Sequence, residues 1–191
     1  QGVCLNVENK NVTAVATDGF RLVKRLSNTK EDNSFSGQVI IPSKFLTILQ
    51  SHLTNDELEL ILCTNHIQIN NGNTTLVSRI IREKYPDYES IIPSDNDKIV
   101  ILNKNDLFSA VKRVSIFSNR TTRQIALTFD NNKVVVTTED PENITSGHEE
   151  IICEYNDEPL TIGFNANYLK EMLNHQSSDD VYIKLKSSLG A

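Results

Sequence analysis

Cysteine is scarce: Cys4, Cys63 and Cys153 are the only three in 191 residues, odd in number and far apart. Each lies in a strand-like run, so neither a disulfide framework nor a thiolate metal site is expected. Long apolar runs are missing too. None approaches the ~18 residues that a membrane-spanning helix needs, and no membrane role is expected. Glycine is sparse, with seven residues in all. Asp18, Asp87, His52, His66, His148 and His175 could serve as acids and bases, but no phosphate-cradling glycine loop, nucleophile elbow or metal-ligand spacing accompanies them. Catalysis is therefore not expected, nor a cofactor, nor a metal. The opening residues lack the basic, apolar and cleavage regions of a secretory leader. Asn11-Val12-Thr13 is accordingly read as a chance match to the glycosylation pattern, and a reducing, cytoplasmic setting is expected. A basic excess is absent as well: the net charge is -6. That argues against wrapping nucleic acid over the whole surface, which requires Lys and Arg to neutralise phosphates, but it allows a local basic face.

What the chain does have is alternation. Leu58, Leu60 and Leu62 alternate with Glu57, Glu59 and Ile61, and Val181, Ile183 and Leu185 with Tyr182 and Lys184; both patterns predict strands with one buried face. Asp18-Gly19 and Asn71-Gly72 stand where two-residue hairpin turns are expected, and Asp130-Asn131-Asn132 is a third candidate. Three segments have helical spacing. Phe45, Leu46, Leu49 and Leu53 form one stripe after Pro42-Ser43; Leu107, Val111 and Val114 form a second behind a cap at Asn103 or Asn105; Tyr168, Leu169, Met172 and Leu173 form a third behind Asn165.

An internal repeat organises these elements. "IPSKFLTILQSHLTNDELELIL" (41–62) lies over "FNANYLKEMLNHQSSDDVYIKL" (164–185), pairing Phe45 with Tyr168, Leu46 with Leu169, Leu49 with Met172, and Leu58, Leu60 and Leu62 with Val181, Ile183 and Leu185. "AVATDG" matches "VVTTED" at nearly the same offset. Two copies of one α+β domain are expected, 1–93 and 94–191, joined where Pro, Asp, Ser and Asn concentrate at 86–97. The segment 98–118 has no earlier counterpart and the hairpin at 67–81 no later one, so the chain is expected to be a fragment of a longer protein.

With the repeat in place, "VATDGFRL", "VIIPSKFL", "IIREKYPDYESIIP", "KNDLFSAVKRVSIFSN" and "IGFNANYLKEML" resemble, in order and spacing, the bacterial DNA polymerase III beta subunit, the sliding clamp of the replisome. The resemblance runs over nearly the whole chain, from an incomplete middle domain through most of the third. It implies the DNA clamp fold, with repeated domains of antiparallel sheets and paired helices. It also implies a non-catalytic processivity factor that, as a full-length homodimer, encircles duplex DNA without reading its sequence. Such a clamp tethers the polymerase III catalytic subunit, the clamp loader and other proteins carrying clamp-binding motifs.

Carried over by matching motif, the wall of the peptide pocket is Thr17, Gly19, Phe20, Arg21 and Leu22, joined by Pro86, Ser90, Ile91, Thr122, Asn165, Tyr168 and Leu189. Leu22, Ile91, Tyr168 and Leu189 are expected to accept apolar anchors, and Thr17, Arg21 and Asn165 to hydrogen-bond the peptide. On composition alone, Leu22 and Ile91 read equally well as ordinary core. The family often has His at the Phe20 position and Arg at the Ser90 position, so the rim here is expected to be more apolar and less basic. Ile116 falls opposite the core stripe of its helix. With Phe117 it matches the family's subunit interface, to which Glu142, Glu149 and Glu150 would add acidic contacts. Lys44, Lys112, Arg113 and Lys170 occupy polar helix faces: ordinary solvated charge by themselves, DNA-facing in a clamp. The other reading is a stand-alone two-domain peptide-binding adaptor with no DNA role.

Overall fold

A computed structural model describes residues 2–29, 32–54 and 58–188. The chain divides into two compact units, Gln1–Asp87 and Tyr88–Ala191. The division precedes the compositional boundary at 93/94 because the end of the first unit is tied down by Tyr85, a buried side chain whose hydroxyl donates to the Val15 carbonyl at 3.1 Å.

In the first unit β1 (Gly2–Glu8), β2 (Asn11–Thr17), β3 (Leu22–Asn28) and β4 (Gly37–Pro42) form an antiparallel sheet of order β3-β2-β1-β4. Helix α1 (Ser43–His52) follows, then a second sheet of β5 (Glu59–Leu62), β6 (His66–Asn71) and β7 (Thr74–Arg79). In the second unit β8 (Lys98–Asn103) and α2 (Lys104–Val114) come first. Then β9 (Gln124–Asp130), β10 (Lys133–Asp140), β11 (Thr145–Ile152) and β12 (Leu160–Asn165) form a sheet of order β11-β10-β9-β12, followed by α3 (Ala166–Asn174) and β13 (Asp180–Leu185), which pairs with β8. The two four-stranded sheets thus have the same order and connection, and each leads into a helix and a strand. Both units are α+β with antiparallel sheets.

Burial explains the helices. In α2, Leu107, Ala110, Val111 and Val114 are all buried and pack with Leu169 and Leu173 of α3 over Ile125, Leu127, Phe129, Val134 and Val136 of the sheet. Each large side chain buried this way contributes about 1.5–3 kcal/mol before the entropy cost of ordering it. Asn103 caps α2, its side-chain oxygen accepting from the Asn105 and Asp106 amides at 2.9 and 3.3 Å. In the first unit Phe45 and Leu49 of α1 pack on Ile41, Ile67 and Ile69. Leu53 and Met172, members of the expected stripes, are exposed. Leu53 follows the last turn of α1, and Met172 stays half-exposed because its neighbours Leu169 and Leu173 occupy the buried face of α3.

The turns differ in detail from the sequence reading. Asn131 and Asn132 form a two-residue connection with φ of 46° and 62°, the primed geometry that matches strand twist. At the β6–β7 hairpin Asn71 pairs with Thr74, so the loop residues are Gly72 and Asn73, with φ of 58° at Gly72. Asp18-Gly19 is not a two-residue turn. Thr17 pairs with Leu22, leaving a four-residue loop, 18–21, in which Gly19 takes φ of 89°.

Candidate functional site

The loop at 18–21 is laced by two side chains. The Asp18 carboxylate accepts from the Phe20 and Arg21 amides at 3.0 and 2.9 Å and, through its other oxygen, from Arg21 Nε at 3.1 Å. These bonds, that from Phe20 first, hold its carboxyl below the ordinary carboxylate range. Thr17 Oγ1 donates to the Arg21 carbonyl at 2.7 Å and accepts from the Gly19 amide at 3.2 Å. The backbone is thereby turned so that Phe20 projects outward, 81% exposed, beside an Arg21 guanidinium oriented by Asp18. Leu22 is half-buried at the start of β3, and Pro86 is exposed. Thr17, Gly19, Phe20, Arg21 and Leu22 are therefore brought together on one hairpin end.

In the second unit Thr122, Asn165 and Tyr168 converge at the start of α3. Asn165 caps the helix: its side-chain oxygen accepts from the Asn167 and Tyr168 amides at 3.0 and 3.3 Å, while its Nδ2 donates to the Thr122 carbonyl at 3.1 Å. Both ends of the carboxamide thus serve the fold, which accounts for Asn at this position without an appeal to a peptide. Tyr168 is half-buried. Ser90 and Ile91 lie on the short 3₁₀ turn Glu89–Ile91, with Ile91 61% exposed rather than in the core. Leu189 lies outside the described residues.

The charged positions are largely paired. Arg113 and Glu149, expected in separate roles, form a two-point ion pair: Arg113 Nε lies 2.9 Å from Oε2 of Glu149, and the terminal nitrogen NH2 contacts Oε1. Each shifts the other, the arginine upward and the glutamate downward. Glu150 is paired with Lys133 at 2.7 Å. Glu142 Oε2 accepts from Asn119 at 3.5 Å. Lys170 donates to Ser115 Oγ at 3.3 Å, and Lys44 and Lys112 are exposed on α1 and α2. Ile116 and Phe117 do not continue α2. They fall on a 3₁₀ turn, Ser115–Phe117, that leaves them 73% and 43% exposed.

Three residues that sequence reasoning did not select belong to these surfaces. Asp140, 2% exposed, accepts from Asn143 Nδ2 at 2.8 Å, from the Glu142 amide at 3.2 Å and from Asn119 Nδ2 at 3.4 Å. The bond from Asn143 leads the causes that lower its carboxyl below the ordinary value. Asn119 Oδ1 in turn accepts from the Thr121 and Thr122 amides. Ile144 is 93% exposed and holds a left-handed φ of 52°, a conformation that β-branched residues avoid. The Asp-Pro-Glu-Asn sequence at 140–143 signals a turn, but it does not show which polar atoms meet across strands.

Among the described residues no cluster of His, Cys, Asp or Glu could hold a metal ion, and no helix is long and apolar enough to cross a membrane.

Residues 1–87 match the family described as DNA polymerase III beta subunit, central domain, and residues 89–190 match DNA polymerase III beta subunit, C-terminal domain. The beta sliding clamp of Pseudomonas aeruginosa is 33% identical over 189 residues, covering 98% of this chain and 51% of that protein. The beta sliding clamp of Haemophilus influenzae is 33% identical over 194 residues, covering 100% and 52%. A crystal structure of the Pseudomonas aeruginosa sliding clamp bound to griselimycin superposes with a TM-score of 0.93 at 32% identity, over 99% of this chain and 52% of that one. The chain spans about half the length of the curated relatives it matches.

Proposed function

Because the chain belongs to the DNA polymerase III beta subunit family, we propose that it forms part of a DNA sliding clamp, a non-catalytic and cytoplasmic processivity factor. As a full-length homodimer this clamp encircles duplex DNA and tethers polymerase and other replication and repair proteins. The observation that carries the reading is the match of central and C-terminal clamp domains, in order, to two units with the same sheet order. Topology rather than affinity would then hold the protein on DNA, which is compatible with a net charge of -6. The test is retention of the full-length protein, with its loader and ATP, on nicked circular duplex and its release when the circle is cut. Equal retention on linear and circular DNA would remove the topological reading and favour an adaptor.

The hairpin end at Thr17–Leu22 and the α3 N-terminal surface with Thr122, Asn165 and Tyr168 are assigned to motif binding, together with Pro86, Ser90 and Ile91. An exposed aromatic beside an oriented guanidinium suits an extended peptide that needs one apolar anchor and a few polar contacts. The griselimycin complex of the Pseudomonas aeruginosa clamp supports ligand binding by clamps of this family. A labelled Gln-Leu-x-Leu-Phe peptide is expected to bind the full-length protein saturably, and Arg21→Ala and Tyr168→Ala each to weaken it. Unchanged polarisation curves in both variants would remove these assignments.

Lys44, Lys112 and Lys170 are assigned to loose phosphate contact. Arg113 joins them only when its bond to Glu149 is lost. Glu149→Gln is therefore expected to steepen the dependence of duplex binding on log salt by about 0.9, the increment for one more neutralised phosphate. An unchanged slope would place Arg113 away from DNA.

Ile116 and Phe117 are assigned to the homodimer interface. Their exposure supports this, as does the position of β11 at the edge of its sheet, where backbone groups are open to strand addition.

A further inference from the structure

We propose that Asn119 is a positioning residue for motif binding, setting the place of Tyr168 through the loop at 119–123; this rests on the motif-binding reading above. That loop is the seat of the α3 N-terminus. Its Thr122 carbonyl accepts from Asn165 Nδ2, and its Arg123 carbonyl accepts from the Ala166 amide at 2.8 Å. Arg123 can turn its carbonyl toward the helix because it holds φ of 52°, an uncommon conformation that the surroundings must enforce.

Asn119 supplies much of that enforcement. Its side-chain oxygen accepts from the Thr121 and Thr122 amides at 2.9 and 3.3 Å, and its carbonyl accepts from the Arg123 amide at 2.9 Å, closing the loop on itself. Its Nδ2 anchors the closed loop to Asp140, whose buried carboxylate is fixed by Asn143 Nδ2 and the Glu142 amide. A short series of bonds therefore runs from the end of β10 through Asn119 and Thr122 to Asn165, and from the Asn165 oxygen to the Tyr168 amide at 3.3 Å. Asn119 needs no contact with the peptide to matter. Losing it frees the loop, and with it the height and tilt of the helix turn that carries Tyr168.

The test is a polarisation titration of labelled Gln-Leu-x-Leu-Phe peptide against the full-length protein and its Asn119→Ala, Asn119→Ser and Val100→Ala variants. Val100 is fully buried in the core of the same unit and lies on β8, outside the loop at 119–123. Asn119→Ala is expected to weaken binding about five- to tenfold, the scale on which loss of one capping side chain acts. Its Asn167 and Tyr168 amides are expected to exchange hydrogen faster. Asn119→Ser keeps an oxygen for the Thr121 and Thr122 amides but is too short to reach Asp140. Its expected loss is smaller, and it carries the test if the alanine variant does not fold. Val100→Ala should lower thermal stability and leave affinity unchanged. The proposal is overturned if the folded Asn119 variants bind as tightly as the unaltered protein, or if Val100→Ala loses as much affinity as they do. An unaltered protein that binds no peptide would instead remove the motif-binding reading itself.

Discussion

Phe129→Ala is expected to destabilise the second unit by about 3–5 kcal/mol, the range for removing a fully buried phenyl ring from a core that cannot collapse around the void. Phe129 is 0% exposed and lies on β9, with Val134 of β10 and Leu160 of β12 as its cross-strand neighbours. Its ring meets Tyr155 at a centroid separation of 5.8 Å and an interplanar angle of 47°, so an aromatic contact is lost along with the buried area. Tyr155 is itself buried and donates its hydroxyl to the Glu158 carbonyl at 2.6 Å, which keeps it from swinging into the space left behind. Hydrogen exchange is the measurement. The slowest amides of β9, β10 and β12 should lose protection together, by the full destabilisation. A loss near 1 kcal/mol, the ordinary size for a point substitution, would mean that the core repacks. At the corresponding register position of the first unit, one pair in from the β1–β2 turn, stands Val7, also buried, and Val7→Ala should cost less because fewer carbons leave the core.

The internal repeat was legible because burial imposes a period of two on strands and 3.6 on helices. The pairing of 41–62 with 164–185 therefore returns as β4–α1–β5 and β12–α3–β13. The sequence also distinguished the elements lacking a counterpart, 98–118 and 67–81, which are β8–α2 with its 3₁₀ turn and the β6–β7 hairpin. Turn geometry was less legible, because register is fixed by pairs across the sheet. Asp-Gly suits a two-residue turn, but Thr17 pairs with Leu22, and Asp18 spends its carboxylate on two amides and a guanidinium. Side-chain pairs between distant elements were not legible at all. Arg113 and Glu149 are 36 residues apart, and only the packing of α2 against β11 brings them together. The same holds for Asn119 and Asp140. Asn165 shows a different limit: an Asn ahead of an apolar stripe signals a helix cap, and the family resemblance signals a motif contact. The geometry shows the cap occupying the oxygen of the amide and a bond to the Thr122 carbonyl its nitrogen.

Gly147→Val is expected to leave the second unit folded while weakening the proposed full-length homodimer about tenfold or more, the scale of losing one well-packed interface anchor. Gly147 lies on β11 against the Phe117 side chain. A Cβ there would stand 2.8 Å from Phe117 Cδ2 and 3.6 Å from its Cβ, closer than the ring can tolerate at the first of these. The backbone of the 3₁₀ turn is held from the same strand, with Thr145 Oγ1 donating to the Phe117 carbonyl at 3.0 Å. The ring must therefore move rather than the turn, and with 43% of its surface already exposed it has solvent to move into. Valine also suits an edge strand, so the strand itself is not weakened. Ile116→Ala supplies the complementary case. It removes an aliphatic group that is 73% exposed and moves no backbone; stability should change by no more than about 0.5 kcal/mol, while dimerisation weakens. Sedimentation of the full-length variants over a concentration series separates the possibilities. If both dissociate at higher concentration than the unaltered protein, the position of the Phe117 ring and the Ile116 side chain govern association. If Gly147→Val stays as tightly dimeric as the parent while Ile116→Ala does not, the interface uses Ile116 without the Phe117 ring, and the glycine on β11 serves only to leave room for that ring beside its own sheet.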